Sequence, residues 1–157
     1  MATNTLSLPL TDADATADAA AALATHLDQG DVILLEGAVG AGKTHFARSL
    51  IRSLLRTPED VPSPTFTLVQ TYDSTKGEIW HADLYRLTNL QEVEELGLTE
   101  AFETAVCLIE WPDRLGDLAP QSALSLTLTS GIDDDARILA ARWSDTKWES
   151  KLAEWRT

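Results

Sequence analysis

The sequence predicts an α/β fold in which helices cover a mixed, mainly parallel central sheet, and three observations lead to this prediction. Residues 32–35 and 105–109 are short apolar runs, as expected of strands that are buried on both faces. A glycine-rich loop and a helical apolar pattern follow the first run, which is the order of a parallel β–α unit. Residues 123–129 and 136–143 alternate around a Gly–Asp turn and predict a C-terminal β-hairpin.

The glycine-rich loop has the most specific pattern in the chain. Residues 37–44 read GAVGAGKT and match the Walker A pattern G-x-x-x-x-G-K-[ST] at every fixed position. Such a loop aims backbone N–H groups at phosphates, and the helix that follows adds the partial positive charge of its N-terminus. The alternative, an ordinary glycine-rich turn, does not explain the strand before the loop and the helix after it. The fold prediction is therefore a three-layer, phosphate-loop NTPase-like α/β fold.

The same pattern assigns the predicted nucleotide ligands. Lys43 reaches the β- and γ-phosphates in loops of this kind, and the hydroxyl group of Thr44 binds Mg²⁺. The full predicted nucleotide-binding set in and beside the loop is Gly37, Val39, Gly40, Ala41, Gly42, Lys43, Thr44 and His45.

Two carboxylates in strand-like segments are candidates for the Mg²⁺ side of the site. In a strand, Asp83 shares one face with His81 and Tyr85. Glu110 directly follows the apolar run 105–109, so it emerges at the ligand-binding edge of a parallel sheet. A carboxylate at either place can hold Mg²⁺ through water or orient an attacking water. For His81 the favoured interpretation is a hydrogen-bonded structural histidine.

Other polar and aromatic positions allow two interpretations each. Ser63 and Thr65 lie on a proline-rich loop, where phosphate-loop proteins often sense the γ-phosphate and Mg²⁺. Capping and turn chemistry explain the same hydroxyl groups equally well. Trp111 is either a core residue or a wall beside the nucleotide. Thr16 is either a residue near the nucleotide base or a plain surface threonine, and the second interpretation is favoured.

Three arginines stand out in a strongly acidic chain. Arg48, Arg52 and Arg56 are spaced four apart, so a helix would place them on one face. A solvated helix face is the favoured interpretation, and a basic strip for an acidic partner or RNA is the alternative. The formal net charge of −13 argues against independent, tight binding to nucleic acid, where neutralised phosphates supply most of the affinity.

Composition narrows the class of protein further. The 157 residues suit a single domain over 1–157, which ends in a predicted helix over 144–157. The single cysteine, Cys107, excludes an internal disulfide framework, and its apolar neighbours predict a buried structural thiol. The chain does not open with a positive segment before an apolar stretch, and no run reaches the roughly 18 apolar residues of a membrane span. We therefore expect a cytoplasmic protein without a membrane partner.

Four segments together resemble one family. They read GAGKT at 40–44, SPTF at 63–66, HADLYRL at 81–87 and IEWP at 109–112. Their order is similar to that of the TsaE (YjeE-type) proteins, bacterial ATPases needed to make threonylcarbamoyladenosine in tRNA. The resemblance runs from about residue 6 to residue 143. The phosphate loop is shared by many families, whereas the other three segments together are specific.

The resemblance implies ATP and Mg²⁺ as cofactors and a low ATPase activity that partners stimulate. The implied partners are TsaD and TsaB, which modify the adenosine next to the anticodon, and tRNA contact is indirect or weak. Carried over by position, the catalytic set is Lys43, Thr65, Asp83 and Glu110, and the metal set is Thr44, Asp83 and Glu110. Trp111 is implied to lie close to the nucleotide. His45 departs from the family pattern, which often has a threonine there.

A small kinase of a metabolite or nucleotide is the alternative function. A kinase needs an acceptor pocket and a mobile lid that carries arginine. The one candidate insertion, residues 88–104, contains five glutamates and no arginine or lysine, which disfavours a kinase. A nucleotide-binding switch without hydrolysis is the third possibility.

Overall fold

The fold is centred on one mixed sheet. The structure, a computed structural model, describes residues 3–38, 40–64 and 68–156. Among these residues, seven strands form a sheet of order β1-β7-β6-β2-β5-β4-β3. The strands are β1 (Asn4–Leu10), β2 (Val32–Glu36), β3 (Val69–Ser74), β4 (Gly77–Asp83), β5 (Val106–Glu110), β6 (Leu124–Ser130) and β7 (Arg137–Trp143).

The strand directions confirm the mixed, mainly parallel sheet. β4, β5, β2 and β6 are parallel neighbours and form the centre. β3 and β7 run antiparallel to this centre, and β1 pairs antiparallel with β7, so it runs with the centre again. The antiparallel pair of β6 and β7 is the predicted C-terminal hairpin. The carboxyl ends of β2, β4 and β5 consequently meet at one edge, where parallel sheets bind ligands.

Helices cover both faces of the sheet, as a three-layer fold requires. The helices are α1 (Ala13–Ala24), α2 (Lys43–Leu54), α3 (Leu90–Glu95), α4 (Leu98–Thr104) and α5 (Lys147–Lys151). Alternation along β2 divides the core: Ile33 and Leu35 pack with α1, α2 and the C-terminal tryptophans, whereas Val32 and Leu34 pack with α3 and α4. The second cluster buries Cys107, and burial, with a contribution from Glu78, raises the pKa of its thiol to about 12. The predicted buried structural thiol is confirmed.

The C-terminal segment differs from the predicted single helix over 144–157. α5 is followed by a 3₁₀ turn, Ala153–Arg156, and the backbone leaves helical geometry at Leu152. The turn allows the indole N–H of Trp155 to donate to Ala19 O on α1 (3.0 Å). A tertiary hydrogen bond for a buried indole therefore outweighs continuation of the helix.

The alternating segment around 81–87 is strand over only part of its length. β4 ends at Asp83, and Tyr85 lies in the turn that follows. His81 and Asp83 share the face that looks toward α2, whereas the predicted place of Tyr85 on that face is wrong. No helix among the described residues is long and apolar enough to cross a membrane.

Candidate functional site

The glycine-rich loop connects the carboxyl end of β2 to the N-terminus of α2. Gly37 has φ of +144°, and a Cβ atom built on it would lie 2.6 Å from Leu128 O. Gly42 caps α2 with φ of +102°, a region that other residues rarely enter. Close approach of the backbone at Gly37 and a left-handed cap at Gly42 thus explain why glycine is needed at both positions.

Lys43 provides a cation at the mouth of this loop. Its side chain is buried, and Nζ donates to Gly37 O at 2.5 Å. The same Nζ lies 3.7 Å from the centroid of the Trp111 ring. Burial lowers the pKa of the Lys43 ammonium, and nearby carboxylates oppose that shift, namely Glu110, Asp83 and Asp113. A carbonyl oxygen and an aromatic face therefore hold the positive charge of Lys43.

Behind the lysine, a hydrogen-bonded chain connects three side chains. Thr44 Oγ1 donates to Glu110 Oε1 at 2.8 Å, and His81 Nε2 lies 2.7 Å from Glu110 Oε2. His81 and Glu110 are almost fully buried. Asp83 lies opposite Glu110 in the register of β4 and β5, and its Oδ1 accepts from the backbone N–H of Tyr85 (3.0 Å). The two predicted carboxylates are therefore neighbours at the carboxyl edge.

His81 is the residue that the sequence interpretation undervalued. It is a hydrogen-bonded histidine, as expected, but its partner is the candidate metal-side carboxylate Glu110. Nδ1 is buried and has no hydrogen-bond partner in the described part of the chain. The available signal was position: His81 precedes Asp83 by two residues and so shares its strand face.

Trp111 forms a wall at the edge of the loop and is only half-buried. Its backbone is left-handed (φ 59°, ψ 56°), which costs a residue with a side chain about 1–2 kcal/mol. The ring lies 4.8 Å from that of Tyr85, measured between centroids. The ring lies against Lys43 and also packs against the core cluster between the sheet and α3 and α4, so Trp111 contributes both to the core and to the edge of the loop. Its contact with a nucleotide stays a prediction.

A small cavity of about 130 Å³ opens beside the start of α2. It is lined by Ala13, Thr16, Gly42, His45, Asp135 and Arg137. Within it, His45 Nε2 lies 3.0 Å from Ala13 O, and Thr16 is buried, which is not the plain surface threonine favoured from the sequence. Roles for Thr16 and His45 near a nucleotide therefore stay predictions.

The three arginines do not form one helical face. α2 ends at Leu54, so Arg56 lies beyond it, where its Nε donates to Ser74 O at 3.2 Å. Arg48 is partly buried, and Arg52 is exposed. Because α2 ends before Arg56, the three arginines do not share one helical face and do not form a continuous basic strip.

Two predicted site residues, Val39 and Thr65, lie outside the described residues. Gly40 and Ala41 occupy the turn before α2, as the loop pattern requires. Among the described residues, no three His, Cys, Asp or Glu side chains form a metal-ligand cluster. The adjacent oxygens of Thr44 and Glu110 nevertheless suit Mg²⁺, which usually takes one or two protein ligands and completes its shell with phosphate oxygens and water.

Comparisons with known proteins identify the family. The family model described as "Threonylcarbamoyl adenosine biosynthesis protein TsaE" matches residues 10–139. The chain is 38% identical over 129 residues to a tRNA threonylcarbamoyladenosine biosynthesis protein TsaE of Rickettsia bellii, covering 82% of this chain and 89% of that protein. The same comparison with the TsaE protein of Bacillus subtilis gives 39% identity over 110 residues, covering 69% of this chain and 68% of that protein.

A solved structure extends the likeness to the fold. The crystal structure of Bacillus subtilis YdiB superposes with a TM-score of 0.80 at 27% sequence identity, covering 99% of this chain and 97% of that chain. The matched range contains the glycine-rich loop, β4 and β5, which together carry the site. The chain belongs to the TsaE family of proteins of tRNA threonylcarbamoyladenosine biosynthesis.

Proposed function

We propose that this protein binds ATP with Mg²⁺ and hydrolyses it slowly, as an accessory factor of the TsaD and TsaB proteins in threonylcarbamoyladenosine modification of tRNA. The observation that supports ATP binding best is the placement of Lys43. Its ammonium is held by Gly37 O and the Trp111 ring, two neutral partners. A phosphate oxygen offers a stronger, charge-assisted hydrogen bond and can replace the carbonyl contact.

The fit to Mg²⁺ is supported by the oxygen atoms next to this cation. Thr44 Oγ1 and Glu110 Oε1 are 2.8 Å apart at the start of α2. Bound Mg²⁺ would neutralise charge on the phosphate oxygens during transfer. Glu110 holds the Thr44 hydroxyl in place, and His81 holds the other carboxylate oxygen, so the ligand set is oriented before the nucleotide arrives.

We assign to Asp83 the role of orienting the attacking water. It lies beside Glu110 at the strand ends, and one of its oxygens is fixed by the Tyr85 N–H. A carboxylate fixed in this way can accept a hydrogen bond from water and orient it toward the γ-phosphate. Hydrolysis then breaks the bond between the γ-phosphorus and its bridging oxygen and yields ADP and phosphate.

We expect a low basal rate because Lys43 is the cation of this chain that we assign to the transferred phosphoryl group. An additional arginine at the γ-phosphate is worth about 10³–10⁵ in rate. Arg114, a nearby candidate, donates instead to Tyr85 O at 3.3 Å. A partner that supplies a further cation would raise the rate.

Phosphate release measured in three steps tests the proposal. The protein is assayed alone, then with TsaD and TsaB, and then with tRNA added. We expect slow release that the partners accelerate, together with tRNA modification that requires this protein. A fast basal rate that no addition changes would contradict the accessory role. Transfer of phosphate to a small acceptor would instead favour the kinase.

The packing of residues 88–104 already disfavours that kinase. A lid must open and close, which requires little buried apolar surface. In α3 and α4 the side chains of Val93, Leu98 and Phe102 are buried against the sheet. This acidic segment therefore supports the fold and is poorly suited to close over phosphates.

A further inference from the structure

The turn between β6 and β7 exposes an isoleucine among three aspartates. We call residues 131–136 the hairpin tip. Ile132 is fully exposed, at 103% of its reference area, and Asp133, Asp134 and Asp135 are exposed beside it. A single exposed isoleucine is ordinary on a protein surface, and what distinguishes Ile132 is the apolar surface that continues from it.

An apolar groove continues from this isoleucine. The cavity between the hairpin tip and the end of β1 has a volume of about 240 Å³. Pro9, Leu10 and Ile138 contribute to its lining, and Ile138 is 43% exposed. The apolar surface therefore extends beyond Ile132, and its border is acidic.

Arg137 connects the hairpin tip to the phosphate loop. Its Nε donates to Ala41 O at 2.9 Å, and one terminal nitrogen donates to Gly40 O at 3.3 Å. The other terminal nitrogen donates to Asp134 O at 2.7 Å and to Ala136 O at 2.8 Å. One planar guanidinium thus bonds to two carbonyls of the loop and two of the hairpin tip. Displacement of either segment changes the hydrogen bonds of the other.

We propose that the hairpin tip is a docking surface for a protein partner, and that Arg137 couples docking there to the phosphate loop. The complementary partner surface has an apolar pocket for Ile132 and a rim of lysine or arginine for the three aspartates. The inference rests on the proposed function only for the choice of partner, the complex of TsaD and TsaB.

The charge of the hairpin tip argues against other occupants. In a twofold dimer built on this surface, the aspartates of the two copies would face each other and repel. Nucleic acid is disfavoured for the same reason, because its phosphates would meet Asp133–135. A basic-rimmed protein pocket is the occupant that satisfies both the isoleucine and its acidic neighbours.

Equilibrium binding to a purified TsaD–TsaB complex tests the docking surface. The first variant is Ile132→Ser, and the second combines Asp133→Arg with Asp134→Arg. Leu90→Ser is the matched apolar control, since Leu90 is 42% exposed at the start of α3. Glu94→Arg with Glu95→Arg is the matched charge control on α3.

The tip variants should bind the complex about tenfold to thirtyfold more weakly than the parent protein, as central interface residues do. The controls should bind within about twofold of the parent, because substitutions on a free surface have small effects. All variants should keep the parental ATP affinity and urea midpoint, which verifies folding.

The outcomes separate this inference from the proposed function. Parental binding by the tip variants would overturn the docking surface and leave the proposed function intact. Failure of the parent protein to bind TsaD–TsaB would overturn both. If Ile132→Ser instead abolished self-association in sedimentation, a second copy would be the occupant, and the inference would be wrong.

Arg137→Lys tests the coupling, because lysine keeps the charge and loses the planar fork. Affinity for TsaD–TsaB is measured with and without ATP·Mg²⁺. In the parent protein we expect ATP to change this affinity about fivefold or more, which is a typical coupling between linked sites. In Arg137→Lys that change should fall below about twofold while docking itself persists. An undiminished change would overturn the link through Arg137.

Discussion

Two buried carboxylates at opposite edges of the sheet have different partners. Asp31 precedes β2 at the amino edge and is 3% exposed, and Glu110 ends β5 at the carboxyl edge and is 2% exposed. Asp31 pairs with Lys147 at 2.8 Å and Lys151 at 2.7 Å. Glu110 contacts the Thr44 hydroxyl and the His81 ring, and no lysine or arginine pairs with it among the described residues.

We propose that this difference separates stability at the amino edge from ligand binding at the carboxyl edge. Burial of a carboxylate costs free energy unless cations and hydrogen bonds compensate. The two lysines of the C-terminal segment compensate Asp31 and anchor that segment to the sheet. Glu110 contacts a hydroxyl and an imidazole in the place of two ammonium groups, and we propose that a bound cation completes its compensation. We therefore expect substitutions at the two carboxylates to have separate consequences, and the predictions below test that separation.

The largest effect is expected on turnover when a carboxylate of the carboxyl edge is neutralised. Glu110→Gln and Asp83→Asn should each lower partner-stimulated phosphate release about 10²- to 10⁴-fold, the usual cost of losing a positioned catalytic group. ATP affinity and unfolding free energy should change little. Glu36→Gln is the control, because Glu36 ends the neighbouring strand β2 and contacts Thr127. Parental turnover in both variants would contradict the assigned roles.

The next effect concerns nucleotide affinity. Lys43→Ala should weaken ATP binding about 10- to 100-fold, because hydrogen bonds to charged groups contribute about 1.5–3 kcal/mol. Calorimetric titration measures the affinity. Lys76→Ala is the control, since Lys76 Nζ donates to Thr25 O, outside the candidate site, at 2.9 Å. An unchanged affinity in the Lys43 variant would exclude the phosphate-loop assignment.

At the amino edge, the expected effect is on stability. Asp31→Asn should lower the free energy of unfolding by about 2–3 kcal/mol, since two lysines lose a buried partner. Because both lysines are partly exposed, the loss lies at the lower end of the range for breaking a buried ion pair. Asp28→Asn is the control, because Asp28 meets the same Lys151 at 3.1 Å from an exposed position and should lose at most about 1 kcal/mol. Urea unfolding measures both, and equal losses would contradict the comparison.

The smallest effect is a dependence on alkaline pH. Burial lowers the pKa of Lys151, but hydrogen bonds to Asp31 and Asp28 outweigh it and raise the pKa above its usual 10.5. A raised lysine pKa contributes stability that is complete below the unfolded value and is lost as pH rises through the folded value. The stability difference between the parent protein and Lys151→Met should therefore shrink above pH 10.5. Urea unfolding across that range, with Lys76→Met as control, measures it; a constant difference would contradict the link.

Much of the fold was accessible to sequence reasoning because its signals are local. Two apolar runs became the adjacent parallel strands β2 and β5, and alternation in residues 123–143 became the hairpin of β6 and β7. The glycine pattern also predicted backbone geometry. A side chain would clash with a neighbouring carbonyl at Gly37 and would be strained by the left-handed conformation at Gly42. Helix ends were harder to predict from the sequence. Examples are the end of α2 before Arg56 and the break in the C-terminal helix at Leu152. At such positions the local conformations are nearly equal in energy, and tertiary contacts decide between them.

The sequence by itself determined the strand–loop–helix unit, the two carboxylates at the sheet edge and the family. Only the tertiary structure decided which distant groups pair with those residues. Thr44 and Glu110 are 66 positions apart, and Arg137 and Ala41 are 96 positions apart. Local periodicity reports which face a side chain occupies, but it carries no information about the residue opposite. That pairing depends on strand order and register, which the whole chain settles together when its core forms.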